Sequence, residues 1–399
     1  MNNQVGNAQL MQIMNRLKVL NFVRNNPDCS RPQIAEATGL SLPSLTNITT
    51  YLLEVGILCE NGVESVSRVG RKSVLLRLKA DKYDLICVLL KESGVVIART
   101  DMEGTVKETQ QLWIEGMSST VITNRVCDAI VSMVNACEKD RVLGIGVAIS
   151  GLVLSDSRFI MSSKLKWNSF DIKTRLEDQT GIPVFIDNVS VLKAAWYFSR
   201  NFKNSNQNML FVDLENGIGA VVYQGGSIQR NIIGEIGHTT VEKDGPKCFC
   251  GNDGCLEVMC SPQRLLNLYK EEAKNNTSGE ENAGKEVKTL AELEERFLAG
   301  DVAAKGAIAD CGKYLGIGLA NLVNLFNPAT LVIDTGDFSD CPSIIEEARE
   351  ELCKRAYVAL TQKLPMMKVK ETQENVICGT AFDLCDKVFD ISSPANIIE

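Results

Sequence analysis

Residues 238–255 read HTTVEKDGPKCFCGNDGC and place the only histidine of the chain, His238, ten residues before a Cys-x-Cys-x4-Cys cluster. One imidazole and three thiolates are a donor set that closes a tetrahedral zinc site. Glycine and proline between the ligands favour turns that bring the thiolates onto one ion. Disulfides or free thiols are the alternative, but a Cys-x-Cys pair is too close for ordinary disulfide geometry. The stretch therefore predicts a structural Zn2+ bound by His238, Cys248, Cys250 and Cys255.

Length and composition predict a globular protein of two or three domains. The chain has 399 residues, of which 45 % are hydrophobic, so it can fill more than one core. A polar N-terminus and a short longest apolar run, residues 142–154, predict neither a signal peptide nor a membrane span. Fourteen cysteines without a secretion signal then favour a reducing, cytoplasmic location.

Charge is distributed unevenly along the chain. Residues 1–80 carry nine Lys or Arg against five Asp or Glu, a net charge of +4, whereas the remainder carries 33 against 45, a net charge of −12. A basic N-terminal segment on an acidic body favours contact between that segment and a polyanion.

The basic segment has the pattern of a winged helix-turn-helix. Three helices are predicted near residues 9–24, 31–38 and 42–55, with a capping box at the start of the second and Gly39 at its end. Two short strands follow, near residues 57–60 and 73–78, and they are joined by a cationic tip. Helix, glycine turn and helix is the order typical of DNA-binding modules.

We call the basic segment the head, and its pattern predicts two kinds of DNA contact. The third helix would contact bases in the major groove, and the tip would contact phosphates. The predicted DNA-binding residues are Ser44, Asn47, Thr50 and Tyr51 on the helix and Arg68, Arg71 and Lys72 at the tip. A small helical module that docks another protein is the alternative, for which the tip cations would be unusual.

These residues also carry a family resemblance along nearly the whole chain. Residues 30–41, SRPQIAEATGLS, together with Gly70-Arg71, resemble the winged head of repressors of the ROK family (repressor, open reading frame, kinase). Residues 234–238, GEIGH, and 248–257, CFCGNDGCLE, are similar to the ROK motif around the zinc ligands. Residues 321–328, NLVNLFNP, match as well.

The resemblance implies an α/β fold in which the winged head precedes a two-lobed, actin-like (ribonuclease H-like) sugar kinase fold with a zinc knuckle. The expected domains are the head at residues 1–80, a first lobe at 81–200 and a second lobe with the knuckle at 201–399. The C-terminal helix of the second lobe is expected to be able to pack back on the first.

ROK kinases transfer phosphate from ATP to a sugar hydroxyl, and the positions for this chemistry differ here. Their Asp-x-Gly-Gly-Thr phosphate turn aligns with residues 89–93, LLKES, and their second turn with residues 215–219, ENGIG. The general-base aspartate aligns with Val189, although a one-residue shift would make Asp187 the acid. Without a base and a phosphate turn, we expect neither kinase activity nor ATP binding.

Sugar recognition is a separate expectation. Asn188, Glu235, His238 and Glu257 match positions that contact sugar hydroxyls in the family, and such amides and carboxylates suit polyol binding. The alternative is that Glu235 and Glu257 only support the zinc ligands.

The sequence therefore predicts a DNA-binding transcriptional regulator, a repressor of carbohydrate-use genes that a sugar or sugar derivative controls through a degenerate kinase cleft. We expect operator DNA, a carbohydrate effector and a homodimer or dimer of dimers as partners, and no membrane. An active ROK sugar kinase and a repressor that senses a protein partner remain alternatives. Activation instead of repression is also open.

Overall fold

The computed structural model describes residues 7–63, 73–92, 94–138, 140–154, 157, 159–162, 171–202, 205–230, 235–276 and 287–390. The chain forms two compact units, and neither is continuous in sequence. Unit 1 comprises Met1–Ile149, Ser169–Asp187 and Val376–Glu399, and unit 2 comprises Ser150–Asn168 and Asn188–Asn375. The division of the chain at residues 80 and 200 stays a prediction.

The described helices are α1 (Asn7–Asn25), α2 (Arg31–Thr38), α3 (Leu42–Glu54), α4 (Ser119–Asn135), α5 (Ile172–Thr180), α6 (Val189–Asn201), α7 (Leu256–Met259), α8 (Pro262–Asn276), α9 (Leu290–Leu298), α10 (Val302–Phe326), α11 (Ser343–Arg355), α12 (Val358–Thr361) and α13 (Gln373–Val388). The described strands are β1 (Cys29–Ser30), β2 (Leu58–Val63), β3 (Val74–Leu78), β4 (Asp84–Lys91), β5 (Gly94–Thr100), β6 (Val106–Leu112), β7 (Val142–Ile149), β8 (Leu152–Val153), β9 (Phe159–Met161), β10 (Val184–Asn188), β11 (Met209–Asp213), β12 (Gly219–Gln224), β13 (Ser227–Ile228), β14 (Thr330–Asp334) and β15 (Met366–Val369).

The N-terminal part of unit 1 combines α1, α2 and α3 with a small sheet in the order β1-β3-β2. The Gln33 side chain accepts a hydrogen bond from the Ser30 amide at 2.8 Å, and Gly39 ends α2 with a φ of 71°. Both features agree with the sequence. The apolar stripe of α1 is buried from Leu17 onward, whereas Leu10 and Met14 are exposed.

Unit 1 also contains a five-stranded sheet in the order β10-β7-β4-β5-β6. Strand β4 runs parallel to β7 and antiparallel to β5, and its residues are almost all buried. Asp84, at the start of β4, is fully buried and pairs with Lys107 at 2.6 Å, Arg141 at 3.2 Å and Arg99 at 3.3 Å. Burial alone would raise the pKa of Asp84, but these cations outweigh burial and hold it below its usual value.

Helix α13 packs on this sheet through the glycines of β7. A Cβ on Gly146 would lie 2.6 Å from Thr380 Cγ2, and one on Gly144 would lie 3.0 Å from Leu384 Cδ1. The glycines therefore let the helix approach the strand closely.

The same helix holds the N-terminal helix of the chain. Arg24 of α1 is 6 % exposed, donates to the Phe382 carbonyl at 3.1 Å and pairs with Asp386. Asn21 donates to the Phe389 carbonyl at 3.2 Å. A buried arginine of α1 that pairs with a half-exposed aspartate of α13 thus joins the two helices inside unit 1.

Unit 2 is built on a sheet in the order β13-β12-β11-β14-β15. Strand β11 is parallel to β14 and antiparallel to β12. Helix α10 packs against α11 at Gly312 and Gly316, where an added Cβ would lie 2.5 Å and 2.6 Å from the Cβ atoms of Glu347 and Glu351. None of the helices in the described part of the chain combines the length and the hydrophobicity of a membrane span.

Several elements were not predicted. Strand β6 reads VKETQQL and is mostly exposed, so it lacks the apolar alternation of a half-buried strand. Helices α5 and α9 have nine residues each and strand β15 has four, and sequence periodicity is weak over such lengths. The 13-residue helix α6 was also missed. The polar run at residues 274–289, which contains NNTSG at 275–279, predicts a solvated loop or insertion. This stretch overlaps the end of α8, and residues 277–286 lie outside the described chain.

Candidate metal knuckle and adjoining polar site

Four side chains of unit 2 converge at the predicted zinc site. His238 Nδ1 lies 3.6 Å from Cys248 Sγ, and the Sγ atoms of Cys250 and Cys255 lie 3.6 Å apart. All four ligand atoms are within 4.8 Å of one another. A tetrahedral ion with the bond lengths of zinc would separate such atoms by about 3.5 to 3.8 Å. The cluster could therefore hold a metal ion.

The backbone of the knuckle depends on one close approach. Gly254 has a φ of 58°, and a Cβ there would lie 1.6 Å from the carbonyl oxygen of Glu242. The Gly254 amide donates to Pro246 O, and its carbonyl accepts from Val241 N, both at 2.9 Å. Only glycine permits this crossing of two chain segments, which positions Cys255 next to the rest of the cluster.

The knuckle is fixed to the core of unit 2 by the residues that follow it. Leu256 is 1 % exposed, and a Cβ on Gly318 of α10 would lie 2.4 Å from its Cδ2 atom. The hydroxyl of Tyr314, also on α10, donates to Glu242 Oε2 at 3.0 Å. A long buried helix thus supports both sides of the metal cluster.

Glu257 lies between two glycine segments beside the knuckle. A Cβ on Gly217 would lie 2.7 Å from Glu257 Oε2, and one on Gly237 would lie 3.0 Å from the same atom. Glu235 approaches His238, with 4.0 Å between Glu235 Oε2 and His238 Nε2. Partial burial raises the pKa of Glu235, His238 opposes the shift and the charge of Glu257 adds to it. Three of the four predicted sugar-contacting residues therefore lie together.

The fourth, Asn188, caps helix α6. Its Oδ1 accepts from the Ser190 amide at 2.8 Å, and its Nδ2 donates to the Gly151 carbonyl at 2.8 Å. Val189 is the first residue of the helix, and its side chain is only 7 % exposed. Ser190 connects this cap to the turn at residues 215–219, because its Oγ would lie 3.0 Å from a Cβ on Gly219.

The turn at residues 215–219 is capped by carboxylates of the same chain. Three of its amides donate, namely Glu215 N to Asp213 Oδ1 at 3.0 Å, Asn216 N to Asp337 Oδ2 at 2.9 Å and Ile218 N to Glu257 Oε2 at 3.3 Å. Gly336, with a φ of 43°, makes one of these contacts possible, because a Cβ there would lie 2.4 Å from the Glu215 amide nitrogen.

A buried lysine that the sequence reasoning missed stands behind this turn. Lys193 of α6 is fully buried, and its Nζ contacts three carboxylates, those of Glu215 at 2.6 Å, Asp334 at 2.8 Å and Asp213 at 2.9 Å. Burial alone would lower the pKa of Lys193, but these carboxylates raise it. One sequence signal was present, because Asp213 and Asp334 end two apolar strands, and the carboxyl ends of adjacent parallel strands meet.

The other positions aligned with kinase chemistry belong to unit 1. Asp187 pairs with Lys387 of α13 at 3.1 Å, and Lys387 also pairs with Asp383 at 2.9 Å. Leu89 and Leu90, in the first half of the aligned phosphate turn, continue strand β4 and are buried. Ser93 lies outside the described residues.

The predicted DNA-contacting residues divide between described and undescribed parts of the chain. Ser44, Asn47 and Thr50 are exposed on α3, opposite a buried face that includes Leu45 and Leu52. Tyr51 is half-buried, and the guanidinium of Arg16 lies 3.6 Å from the centre of its ring. The tip residues Arg68, Arg71 and Lys72 lie outside the described chain.

Comparison with known proteins finds relatives that match end to end. The chain is 25 % identical over 394 residues to the xylose repressor of Bacillus subtilis (strain 168), an alignment that covers 97 % of this chain and 99 % of that protein. Its structure is similar to the crystal structure of a ROK family transcriptional regulator, a homolog of the E. coli MLC protein. There the TM-score is 0.81 and the identity 22 %, with 96 % of this chain and 98 % of the other covered.

A kinase with the same fold matches a shorter part of the chain. The ROK family glucokinase from Streptomyces griseus, crystallised with glucose and AMPPNP, has a TM-score of 0.58 and 19 % identity, and covers 75 % of this chain and 98 % of its own. This ROK transcriptional regulator and this ROK glucokinase thus share the α/β fold described above. Because the ROK family model matches residues 90–387, most of the chain, the protein belongs to the ROK family.

Proposed function

We propose that the protein is a sequence-specific transcriptional regulator, a repressor of carbohydrate-use genes that acts in the cytoplasm and responds to a carbohydrate. The observation that carries this proposal is the fusion of a basic, three-helix head to a ROK body whose end-to-end relatives include a protein named xylose repressor. Two heads, carried by a homodimer or a dimer of dimers, would bind the two half-sites of a symmetric operator.

The head is proposed to be a winged helix-turn-helix. Helix α3 presents Ser44, Asn47 and Thr50 to solvent on one side and a buried apolar face on the other, as a recognition helix requires. Asn47 has the amide geometry for two hydrogen bonds to adenine. Tyr51 is proposed to act together with Arg16, which covers its ring. The cations of residues 64–72 would neutralise phosphates.

The metal cluster is proposed to hold a structural Zn2+. The separations within the cluster, 3.6 Å for both measured pairs, fit tetrahedral coordination by one nitrogen and three sulfurs. A bound ion would supply a crosslink that fixes the knuckle, which has little apolar core of its own. The coordinating nitrogen of His238 would be Nδ1, leaving its Nε2, which lies 4.0 Å from Glu235, toward the polar site.

A carbohydrate is proposed to bind beside the knuckle through Asn188, Glu235, His238 and Glu257. Carboxylate and amide groups can accept and donate around a ring of hydroxyls. The support for this proposal is that Glu235, His238 and Glu257 adjoin one another, and that Glu257 also contacts the 215–219 turn next to the cap formed by Asn188. Control of DNA binding would require that the ligand prefer one conformation of the protein over another.

Catalysis of phosphate transfer is not part of the proposal. Val189 has no group that accepts a proton, and Asp187, the alternative base, is already paired with Lys387 in unit 1. The amides of the second phosphate turn donate to carboxylates, which would repel a nucleotide. Both features favour a regulator that binds no ATP.

DNA binding is tested by selecting duplexes from a random pool with the full-length protein. Asn47→Ala should relax the preference at one base position, at a cost of about 1–3 kcal/mol. Gln12→Ala, which removes an exposed amide from α1, is the matched control and should bind as the parent does. Arg71→Ala should reduce the salt dependence of binding by about one unit. Failure of the parent protein to bind any selected duplex would refute the proposal.

The two alternatives have separate tests. Sugar-dependent ATP hydrolysis or phosphotransfer by the purified protein would establish a kinase. Release of selected DNA by a protein in cell lysate, together with indifference to every carbohydrate tried, would identify a sensor of a protein partner. The proposal expects release by at least one carbohydrate and no ATP turnover.

A further inference from the structure

Two adjacent residues of α13 contact two other elements of unit 1. Lys387 pairs with Asp187 of strand β10 at 3.1 Å. Asp386 pairs with Arg24 of α1, which also donates to the Phe382 carbonyl at 3.1 Å. One stretch of α13 therefore contacts both the end of β10 and the first helix of the head.

The end of β10 adjoins the proposed sugar site. Asn188 follows Asp187 directly, and the chain passes from unit 1 to unit 2 between these two residues. Asp187 and Phe185 share one face of β10, because side chains alternate along a strand. Lys387 contacts this face twice, since its Nζ also lies 5.7 Å from the centre of the Phe185 ring. A ligand that holds Asn188 constrains Asp187 through the peptide bond that joins them.

The ammonium group of Lys387 is fixed to its own helix. It also pairs with Asp383, one turn earlier in α13, at 2.9 Å. A shift of about 1 Å in Asp187 would stretch its pair with Lys387 beyond hydrogen-bonding distance. Because the second pair restrains the lysine side chain, such a displacement acts on α13 itself. Packed helices shift by about 1–2 Å in proteins that switch between two states.

The contact with α1 would carry the displacement into the head. The Arg24 side chain is only 6 % exposed, and a buried guanidinium that lost its partners would be costly. Asn21 adds a second connection by donating to the Phe389 carbonyl at 3.2 Å. Because α1 also packs against α2 and α3, the proposed DNA-contacting helix would move together with α1.

We propose that Lys387 is a positioning residue through which the ligand controls DNA binding by the head. The inference rests on the proposed function, which assigns carbohydrate binding to Asn188 and its neighbours and DNA binding to α3. The ligand displaces Asp187, the ion pairs of Lys387 transmit the displacement to α13, and Arg24 transmits it to α1. Ion pairs and rigid helices in contact can carry coupling between distant sites.

Lys387→Met tests the inference in the full-length protein, with a selected duplex and with xylose, glucose and N-acetylglucosamine as probes. At least one of these sugars should weaken DNA binding by the parent by about tenfold or more, within the usual range of allosteric coupling. In Lys387→Met the same sugar should weaken DNA binding by about threefold or less. Sugar affinity by calorimetry and sugar-free DNA affinity by fluorescence anisotropy should both stay within about threefold of the parent values.

Lys173→Met is the matched control, because Lys173 Nζ also lies 5.7 Å from the centre of the Phe185 ring. It removes the same charge beside the same ring, keeps the pair between Lys387 and Asp187, and should respond to sugar as the parent does. Lys387→Arg keeps the charge and should restore part of the response. A full response to sugar in Lys387→Met overturns the role of Lys387 and leaves the proposed regulator intact. If none of the three sugars releases DNA from the parent, the proposed carbohydrate control and the inference are both refuted.

Amide hydrogen exchange of the parent protein gives a test that does not depend on the folding of any variant. A sugar that releases DNA should change the exchange rates in the last turns of both α13 and α1. Release of DNA with unchanged exchange in α13 would overturn the inference.

Discussion

Gly254→Ala tests whether the close crossing of two chain segments sets the affinity of the knuckle for metal. Alanine at a φ of 58° adds a backbone strain of about 1–2 kcal/mol. Its Cβ would also lie 1.6 Å from the Glu242 carbonyl oxygen, so one segment must move by more than an ångström. That movement should break two of the three hydrogen bonds of the Gly254 backbone, to Pro246 O and from Val241 N, each worth about 1 kcal/mol.

The total cost is about 3–4 kcal/mol, which corresponds to a decrease of a few hundredfold in metal affinity if the knuckle folds only with the metal. Gly251→Ala is the matched control, because Gly251 has a φ of 98° but no atom within 4 Å of the position of an added Cβ. Gly251→Ala introduces the backbone strain without a steric clash, and should lower the metal affinity by about tenfold.

Competition with a chromogenic zinc chelator measures both affinities on the full-length protein. Far-ultraviolet circular dichroism checks that the rest of the fold is retained. If the two variants differ by less than about threefold, the close crossing at Gly254 does not control the metal site and the reasoning is wrong.

Four further predictions concern charges and the proposed loss of catalysis. Asp84→Asn should lower the free energy of unfolding by about 3 kcal/mol at pH 7. Because the pKa of Asp84 is depressed in the folded state, its contribution to stability is present above about pH 4 and is lost as the pH falls through the folded pKa. The melting temperatures of variant and parent should therefore converge in acid. Lys193→Met leaves buried carboxylates without their cation and should cost about 3–5 kcal/mol in urea unfolding, part of which Asp213→Asn restores in the double variant. Arg24→Ala should lower the free energy of unfolding by about 2 kcal/mol and increase amide hydrogen exchange in both α1 and α13. Faster exchange in α1 alone would contradict the view that Arg24 couples the stability of the two helices. Val189→Asp should fold and yet give no sugar-dependent ATP turnover, and measurable turnover in a coupled assay would contradict the proposed role of the capped turn.

The metal cluster was predictable because its four ligands lie close together in the sequence. His238 and the three cysteines lie within eighteen residues, and spacing alone indicates how they fold together. The head was predictable for a similar reason, since caps, a glycine turn and apolar periodicity define each helix separately. Short elements without these signals, such as the polar strand β6, were missed.

The carboxylate contacts were not predictable, because they join residues far apart in the chain. Lys193 contacts Asp334, 141 residues away, and Lys387 contacts Asp187, 200 residues away. Apolar periodicity predicts that a position is buried, but it does not indicate which buried charged residues form an ion pair with each other. The sequence predicts that Val189 stands where a kinase has its base, whereas only the fold gives the carboxylates that accept hydrogen bonds from the amides of the 215–219 turn.

Those carboxylates explain why the proposed loss of catalysis would not be reversed by one substitution. In this turn an amide without a protein acceptor would depend on water for a partner, and would cost about 1–3 kcal/mol wherever water is excluded. Asp213, Asp337 and Glu257 remove that cost by accepting from the turn permanently. Opening the turn to phosphate would require the replacement of several of these carboxylates. Each replacement would leave a turn amide without its hydrogen-bond acceptor or leave the Lys193 ammonium group with fewer carboxylate partners. The stability of the ligand-free turn and the proposed exclusion of nucleotide phosphate would therefore have the same physical cause.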